Sequence, residues 1–283
     1  MVNDLLFGIT ETACAENFPV NFFFGRGAAD LDKFLMHSRK NDHAGLLTFP
    51  PSKMSPNVFS SFCDYHRQGG QILFLNTISN MGSESEIQEF KDVPCLNIDE
   101  YYGGQLAAAH LLQAGCEKYY QLTANLSYIF STREAGFADF CARQGVTVQR
   151  ITTEDFSAMD LHPGKRYGIF ADSDYMALDL YPLASGKKAV IGQEILLCGF
   201  DDIFYGRIAS PSLTTVHQPT RLEGKRAVQK LVNMIYGAQE KDELLKPFLM
   251  YRESSGGPRP DPELPELEQR ITELPSAPEK TRK

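Results

Sequence analysis

From Met1 to about Ser255 the chain alternates short β-branched and aromatic runs with longer segments whose apolar positions recur every three to four residues. That alternation is the pattern of a parallel α/β architecture. The spacing predicts strands over 20–24, 45–49, 71–76, 95–98, 119–123, 146–151, 167–171, 195–199, 214–217 and 248–252. Helix-period segments fall between most of them, over 30–40, 56–68, 103–113, 133–143, 174–184 and 221–236. Ahead of the first strand, Leu5, Leu6, Ile9 and Ala13 share one helical face, so the chain opens in a helix. Ser55-Pro56 reads as an N-cap followed by proline at the first helical position, and Gly115, Gly145 and Gly237 fall just past three helix ends.

The stretch after Ser255 breaks the pattern. It holds six prolines in 28 residues with mixed charge and few aliphatics, and is expected to be disordered over 256–283. Composition narrows the rest. A chain of 283 residues with 42% hydrophobic content can bury a core large enough for two subdomains. The 36 acidic and 28 basic residues leave a net charge of -8, and no basic stretch is long enough to track phosphates, so this chain is a poor DNA binder. Six scattered cysteines lack any C-x-x-C pair and read as reduced thiols of a cytoplasmic protein. Neither a signal peptide nor an apolar run of membrane-spanning length is visible.

Several chemical motifs fail on inspection. "GRGAAD" at 25–30 places Asp30 where a dinucleotide loop needs its third glycine. Cys63 and His66 share a helix face without a second ligand pair, so no metal is expected. No nucleophile elbow, phosphate loop or catalytic dyad appears, and no cofactor and no enzymatic activity are implied.

Five stretches, in order, carry a resemblance. They are "NIDEYYGGQLAAAHLLQAGCEKY" from Asn97, "REAGFADFCARQGV" from Arg133, "IFADSDYMALDLYPL" from Ile169, "LLCGFDDIFYGRIASPSLTTVHQPTRLEGKRAVQKLVNMIYG" from Leu196, and "YRESSG" from Tyr251. The chain resembles the effector-binding core of a LacI/GalR-family transcriptional regulator, which shares its fold with periplasmic sugar-binding proteins. The resemblance implies two doubly wound parallel-sheet subdomains joined by three crossing strands, of the periplasmic-binding-protein-like type I, with a sugar or related polyol in the cleft between them. It places 1–99 with 220–238 in the first subdomain, 100–212 with 244–255 in the second, and 213–219 on a crossing strand.

It also implies a homodimer, with DNA contacted only through a head domain that this chain lacks. Met1 aligns inside the helix that follows the family's first strand, so an N-terminally truncated or degenerate regulator is expected. An exported solute-binding protein, or a regulator with no ligand, is the alternative.

The resemblance also assigns site residues. Arg133, read at a helix start, becomes the ligand-anchoring arginine, its guanidinium fork suited to adjacent hydroxyls or a carboxylate, although by composition alone a surface arginine capping or pairing locally is favoured. Asp201, at the carboxyl edge of the sheet, would accept from ligand hydroxyls while Asp202 caps the next short helix. Phe156 is either an aromatic platform for a ring or plain core. Of Ser173 and Asp174, one would face the cleft and the other cap a helix. Tyr102 and Ser127 stand on cleft-edge loops.

Overall fold

A computed structural model describes residues 2–23, 30, 33–36, 44–49, 56–75, 88–124, 128–162 and 164–258. In chain order the elements are α1 (Val2–Ala15), β1 (Gly45–Thr48), α2 (Pro56–Arg67), β2 (Gln71–Leu75), β3 (Cys95–Ile98), α3 (Glu100–Gln113), β4 (Lys118–Leu122) and α4 (Tyr128–Arg143). They continue with β5 (Val148–Ile151), α5 (Thr153–Ala158), β6 (Tyr167–Ala171), α6 (Asp174–Gly186), β7 (Ile195–Phe200), α7 (Phe204–Ile208) and β8 (Thr214–His217). The last are α8 (Thr220–Ile235), β9 (Glu243–Leu245), β10 (Phe248–Met250) and a 3-10 turn at Glu253–Ser255.

Two sheets result. A parallel four-stranded sheet runs β1-β2-β3-β9, and a six-stranded sheet runs β10-β8-β7-β6-β4-β5, parallel throughout except for β10 against β8. β6 (YGIFA) and β7 (ILLCGF) are buried along their whole length, as strands covered on both faces must be. One cover is Leu180, Ala184 and Phe156 from α5 and α6; the other is Ala107, Leu111 and Phe137 from α3 and α4, with Phe137 stacked on Phe170 at 4.9 Å. The smaller sheet is covered by α1 and α8 on one side, through Leu5, Ile9, Ala227 and Leu231. Phe62 and Phe90 cover its other side.

The chain passes between the sheets three times, from β3 into α3, from β8 into α8, and from β9 into β10. These are the three crossings of the expected fold. β9 pairs with β3, so 243–245 lies in the four-stranded sheet and the chain rejoins the larger one at Phe248, later than the expected 244.

Most predicted elements appear, including the opening helix and the positive-φ glycines Gly115, Gly145 and Gly237 just past α3, α4 and α8. Among the described residues the strand over 20–24 is missing: Val20 to Phe23 forms no strand, Phe24 lies outside the described residues, and so does the expected helix over 30–40 except at 30 and 33–36. An apolar cavity of about 380 Å³ lies beside the 20–23 segment, with Val20, Phe22, Gly45 and Leu46 among its lining residues. Ser55, residues 25–29 of the glycine-rich loop and the tail over 259–283 fall outside the described residues.

Candidate functional site

The site is built at the carboxyl edge of the six-stranded sheet, where open α/β folds leave a crevice beside the strand ends. Helices α3 and α4 set its first wall. A side chain at Gly104 would strike the carbonyl of Arg133, and one at Gly136 the carbonyl of Tyr101. Two glycines therefore let these helices meet backbone to backbone, which brings Glu100 on the first turn of α3 against Arg133 on α4.

Arg133 is 4% exposed, and its donors are taken by the protein. Nε and Nη2 donate to the two carboxylate oxygens of Glu100, the second at 3.0 Å, and Nη1 donates to the Asp172 carbonyl at 2.6 Å. Its guanidinium stacks over the Phe200 ring at 3.8 Å, and Nη2 lies 3.3 Å from Asp201 Oδ1. Helix α4 begins at Tyr128, so Arg133 sits in its second turn and not at the helix start.

Asp201 and Asp202 follow β7 with φ of 113° and 55°, the left-handed region that non-glycine residues enter at a cost of roughly 1–3 kcal/mol each. Strand β8 holds the turn: Asp201 N donates to the Val216 carbonyl at 2.9 Å and Asp202 N to Thr215 Oγ1 at 3.3 Å. The turn sends the two carboxylates to different partners. Asp201 Oδ1 accepts from Gln218 Nε2 at 2.6 Å and faces Arg133. Burial pushes its carboxyl up to about 6 against the pull of Arg133 and Gln218.

Asp202 accepts from Arg252 Nη2 at 2.6 Å, Arg207 Nη2 at 2.8 Å and His217 Nδ1 at 2.9 Å. Burial alone would raise it, but the His217 hydrogen bond with the charges of Arg252 and Arg207 holds Asp202 well below the usual carboxylate range. The N-cap of α7 is Ile203, with no side-chain cap bond, so Asp202 is an ion-pair hub and not the helix cap that its position suggests.

The other assigned residues divide. Ser173 is the N-cap of α6, accepting from Met176 N at 3.3 Å. Asp174 is fully buried; it accepts from Thr215 Oγ1 at 2.6 Å and Ile203 N at 2.8 Å, and burial pushes it up to about 8. Ser173 supplies the expected helix cap, but Asp174 does not face the cleft: it turns inward to brace β8 and the start of α7. Phe156 has no exposed surface and packs with Leu122, Ile151 and Tyr167 in the core, so it offers no face as a platform. Tyr102 donates its backbone N–H to Asp99 Oδ1 at 2.9 Å, and its ring lies 5.2 Å from Lys246 Nζ on the third crossing. Ser127 lies outside the described residues.

Glu100, Asp172, Gln218 and Glu223 border the same place without having been singled out. Asp172 is fully buried; Oδ1 accepts from Gln121 Nε2 at 3.2 Å, Oδ2 has no hydrogen-bond partner among the described residues, and burial lifts the carboxyl to about 7. Glu223, on the first turn of α8, is buried and repelled by Glu100, and burial lifts it to about 7. Glu100 stood inside the quoted "NIDEYYGG"; an acid after Asp99 reads as ordinary helix-start charge until its partner on α4 is known. Among the described residues no group of three metal-ligating side chains occurs, and no helix is long and apolar enough to cross a membrane.

This arrangement, two sheets with three crossings and a cluster of buried polar side chains at the strand ends, meets known proteins at one point. Residues 108–255 match the model of the periplasmic binding protein-like domain. The chain belongs to that family. It is similar there to regulators of the LacI/GalR type. It is 26% identical over 212 residues to the ribose operon repressor of Escherichia coli (strain K12), covering 65% of this chain and 64% of that protein. The chain thus spans a little under two thirds of that relative's length. Among solved structures, a regulatory protein of LacI family from Chloroflexus aggregans superposes with a TM-score of 0.73 at 22% identity, covering 90% of this chain and 92% of the other. A LacI family transcriptional regulator from Enterococcus faecium with bound ribose gives 0.70 at 20% identity, covering 90% and 94%.

Proposed function

We propose that this chain is the sugar-sensing part of a LacI/GalR-type regulator, with a sugar or related polyol bound at the crevice where Arg133, Asp201 and Gln218 meet. The observation that carries the reading is the 3.3 Å approach of Arg133 and Asp201 at the strand ends, beside the crossings that a closing motion would bend. The relatives' names support the ligand class, since one is a repressor of a ribose operon and one solved structure holds ribose.

In this reading the first subdomain is 1–99 with 220–238, and the second is built on the six-stranded sheet. Ligand that prefers the closed arrangement shifts the population toward it, and a homodimer transmits the change to DNA heads outside this chain. The six cysteines, all free, fit a cytoplasmic, reducing setting.

Titration calorimetry of the protein with pentoses, hexoses and their alditols tests the reading. Saturable one-to-one binding of at least one member is expected. A panel in which none binds at millimolar concentration contradicts it.

A further inference from the structure

Four groups of the protein surround the Arg133 guanidinium. Nε and Nη2 donate to the two Glu100 carboxylate oxygens, Nη1 donates to the Asp172 carbonyl, one face lies on the Phe200 ring, and Asp201 Oδ1 stands 3.3 Å from Nη2. An arginine grips two adjacent oxygens through its fork of parallel N–H groups. Here Glu100 holds that fork.

A ligand reaches the fork only when one of the four groups gives way, and they are not equally fixed. The Asp172 carbonyl is main chain at the end of β6, where its own N–H donates to the Leu122 carbonyl at 3.2 Å. Phe200 is fully buried on β7, and Asp201 is held by its left-handed turn and by Gln218. Glu100 hangs on a flexible arm whose side chain is 16% exposed, against 5% for Arg133 and 8% for Asp201. The helix behind it stays in place, because Asp99 caps α3 and the contacts at Gly104 and Gly136 lock it to α4.

Charge points the same way. Two carboxylates flank one guanidinium, so Asp201 remains as the counter-charge when Glu100 swings out to water. Burial raises the Glu100 carboxyl above its ordinary value in spite of Arg133, and a move toward solvent relieves that cost.

We infer that Glu100 is an internal competitor for the Arg133 fork: the effector gains Arg133 by exchanging two adjacent hydroxyl oxygens for the two Glu100 oxygens, so Glu100 sets the affinity of the site. The inference rests on the reading that a sugar or polyol binds at Arg133 and Asp201. The apparent dissociation constant is then the intrinsic one divided by the fraction of molecules whose fork is free.

Titration calorimetry of the wild type, Glu100→Gln and Glu100→Asp with pentoses, hexoses and their alditols tests it. Glutamine keeps the shape of the side chain but loses the charge-assisted hold on the fork, so at least one member of the panel should bind roughly tenfold or more tightly than to the wild type. The urea midpoint of the ligand-free variant should fall at the same time. A side chain that merely shaped the site would lower stability and affinity together, and the opposite signs separate the two roles. Glu100→Asp keeps the charge on a shorter arm and should show a smaller gain, which serves as the readout if the glutamine variant does not fold. Affinity equal to or below that of the wild type in the folded variants overturns the inference and leaves the sugar site standing. Absence of binding to all three proteins at millimolar concentration, or tight binding that persists when Asp201→Asn is added, overturns the site as well.

Discussion

Arg252 and Asp202 form a buried ion pair, Nη2 to Oδ1 at 2.6 Å, between the residues that follow β10 and the turn that follows β7. Arg252 Nη1 also donates to the Leu213 carbonyl at 2.9 Å, so one guanidinium ties the C-terminal end to both sides of α7. The pair fixes the Asp201–Asp202 turn from below and leaves Asp201 alone to face the crevice.

Removing Asp202 should therefore act on folding before it acts on binding. Asp202→Ala leaves Arg252 buried without its counter-charge, and a loss of about 3–5 kcal/mol is expected in urea unfolding. A change below about 1 kcal/mol would mean that solvent reaches Arg252 and compensates, contrary to the geometry.

Stability should fall as pH rises from mildly acidic to mildly basic. Asp201 at about 6, Asp172 and Glu223 at about 7 and Asp174 at about 8 keep their protons in the folded chain, whereas the unfolded groups lose them near their ordinary values of 3.8 and 4.5. The folded state thus holds more protons across that interval, and its stability declines through it. Asp202 works oppositely: its carboxyl is held low, so its contribution is present above 3.8 and disappears as pH drops below that value. The optimum falls near about pH 5. Thermal unfolding in a buffer series from pH 3 to 9 reads this, and a maximum at pH 7 or above would contradict it.

Asp174→Asn separates one contributor. It removes a titrating group, so the decline between pH 6 and 8 should flatten. Overall stability should drop by about 1–3 kcal/mol, because an amide cannot accept from both Thr215 Oγ1 and Ile203 N. An unchanged slope would show that Asp174 is already ionised in the folded protein.

Gly136→Ala tests the helix contact that positions Arg133. The added carbon would meet the Tyr101 carbonyl, forcing α3 and α4 apart at a cost of about 1–3 kcal/mol and moving Arg133 relative to Asp201. Ligand affinity should fall along with stability; a stable variant with unchanged affinity would remove the helix spacing from the account.

The alternation of apolar runs was enough to place the two-sheet fold, because β6 and β7 are apolar on both faces and the helices keep one apolar stripe. The strand over 20–24 was misread for a reason that composition hides. Val20 and Phe22 suit a strand, but a strand needs a hydrogen-bonding neighbour, and this segment forms no ladder with β1 or any other described strand. Asp201 was readable as a residue just past the end of β7, whereas Arg133 stands in the second turn of α4 and not at the edge where the sequence put it. The site was not legible at Asp202, since an aspartate before a short helix looks the same whether it caps that helix or pairs with an arginine 50 residues later. Asp174 and Phe156 stand at positions shared by cleft and core residues alike, and only packing shows that both turn inward.

The central claim, that effector binds where Asp201 meets Arg133, is tested most directly by thermal-shift titration of the wild type and Asp201→Asn with the sugar and alditol panel. Asparagine keeps the size of the side chain and an acceptor for Gln218, so the variant should fold. A ligand at one hundred times its dissociation constant should stabilise the wild type by about 2.7 kcal/mol and the variant by far less. An equal shift in both proteins would place the effector elsewhere and contradict the account.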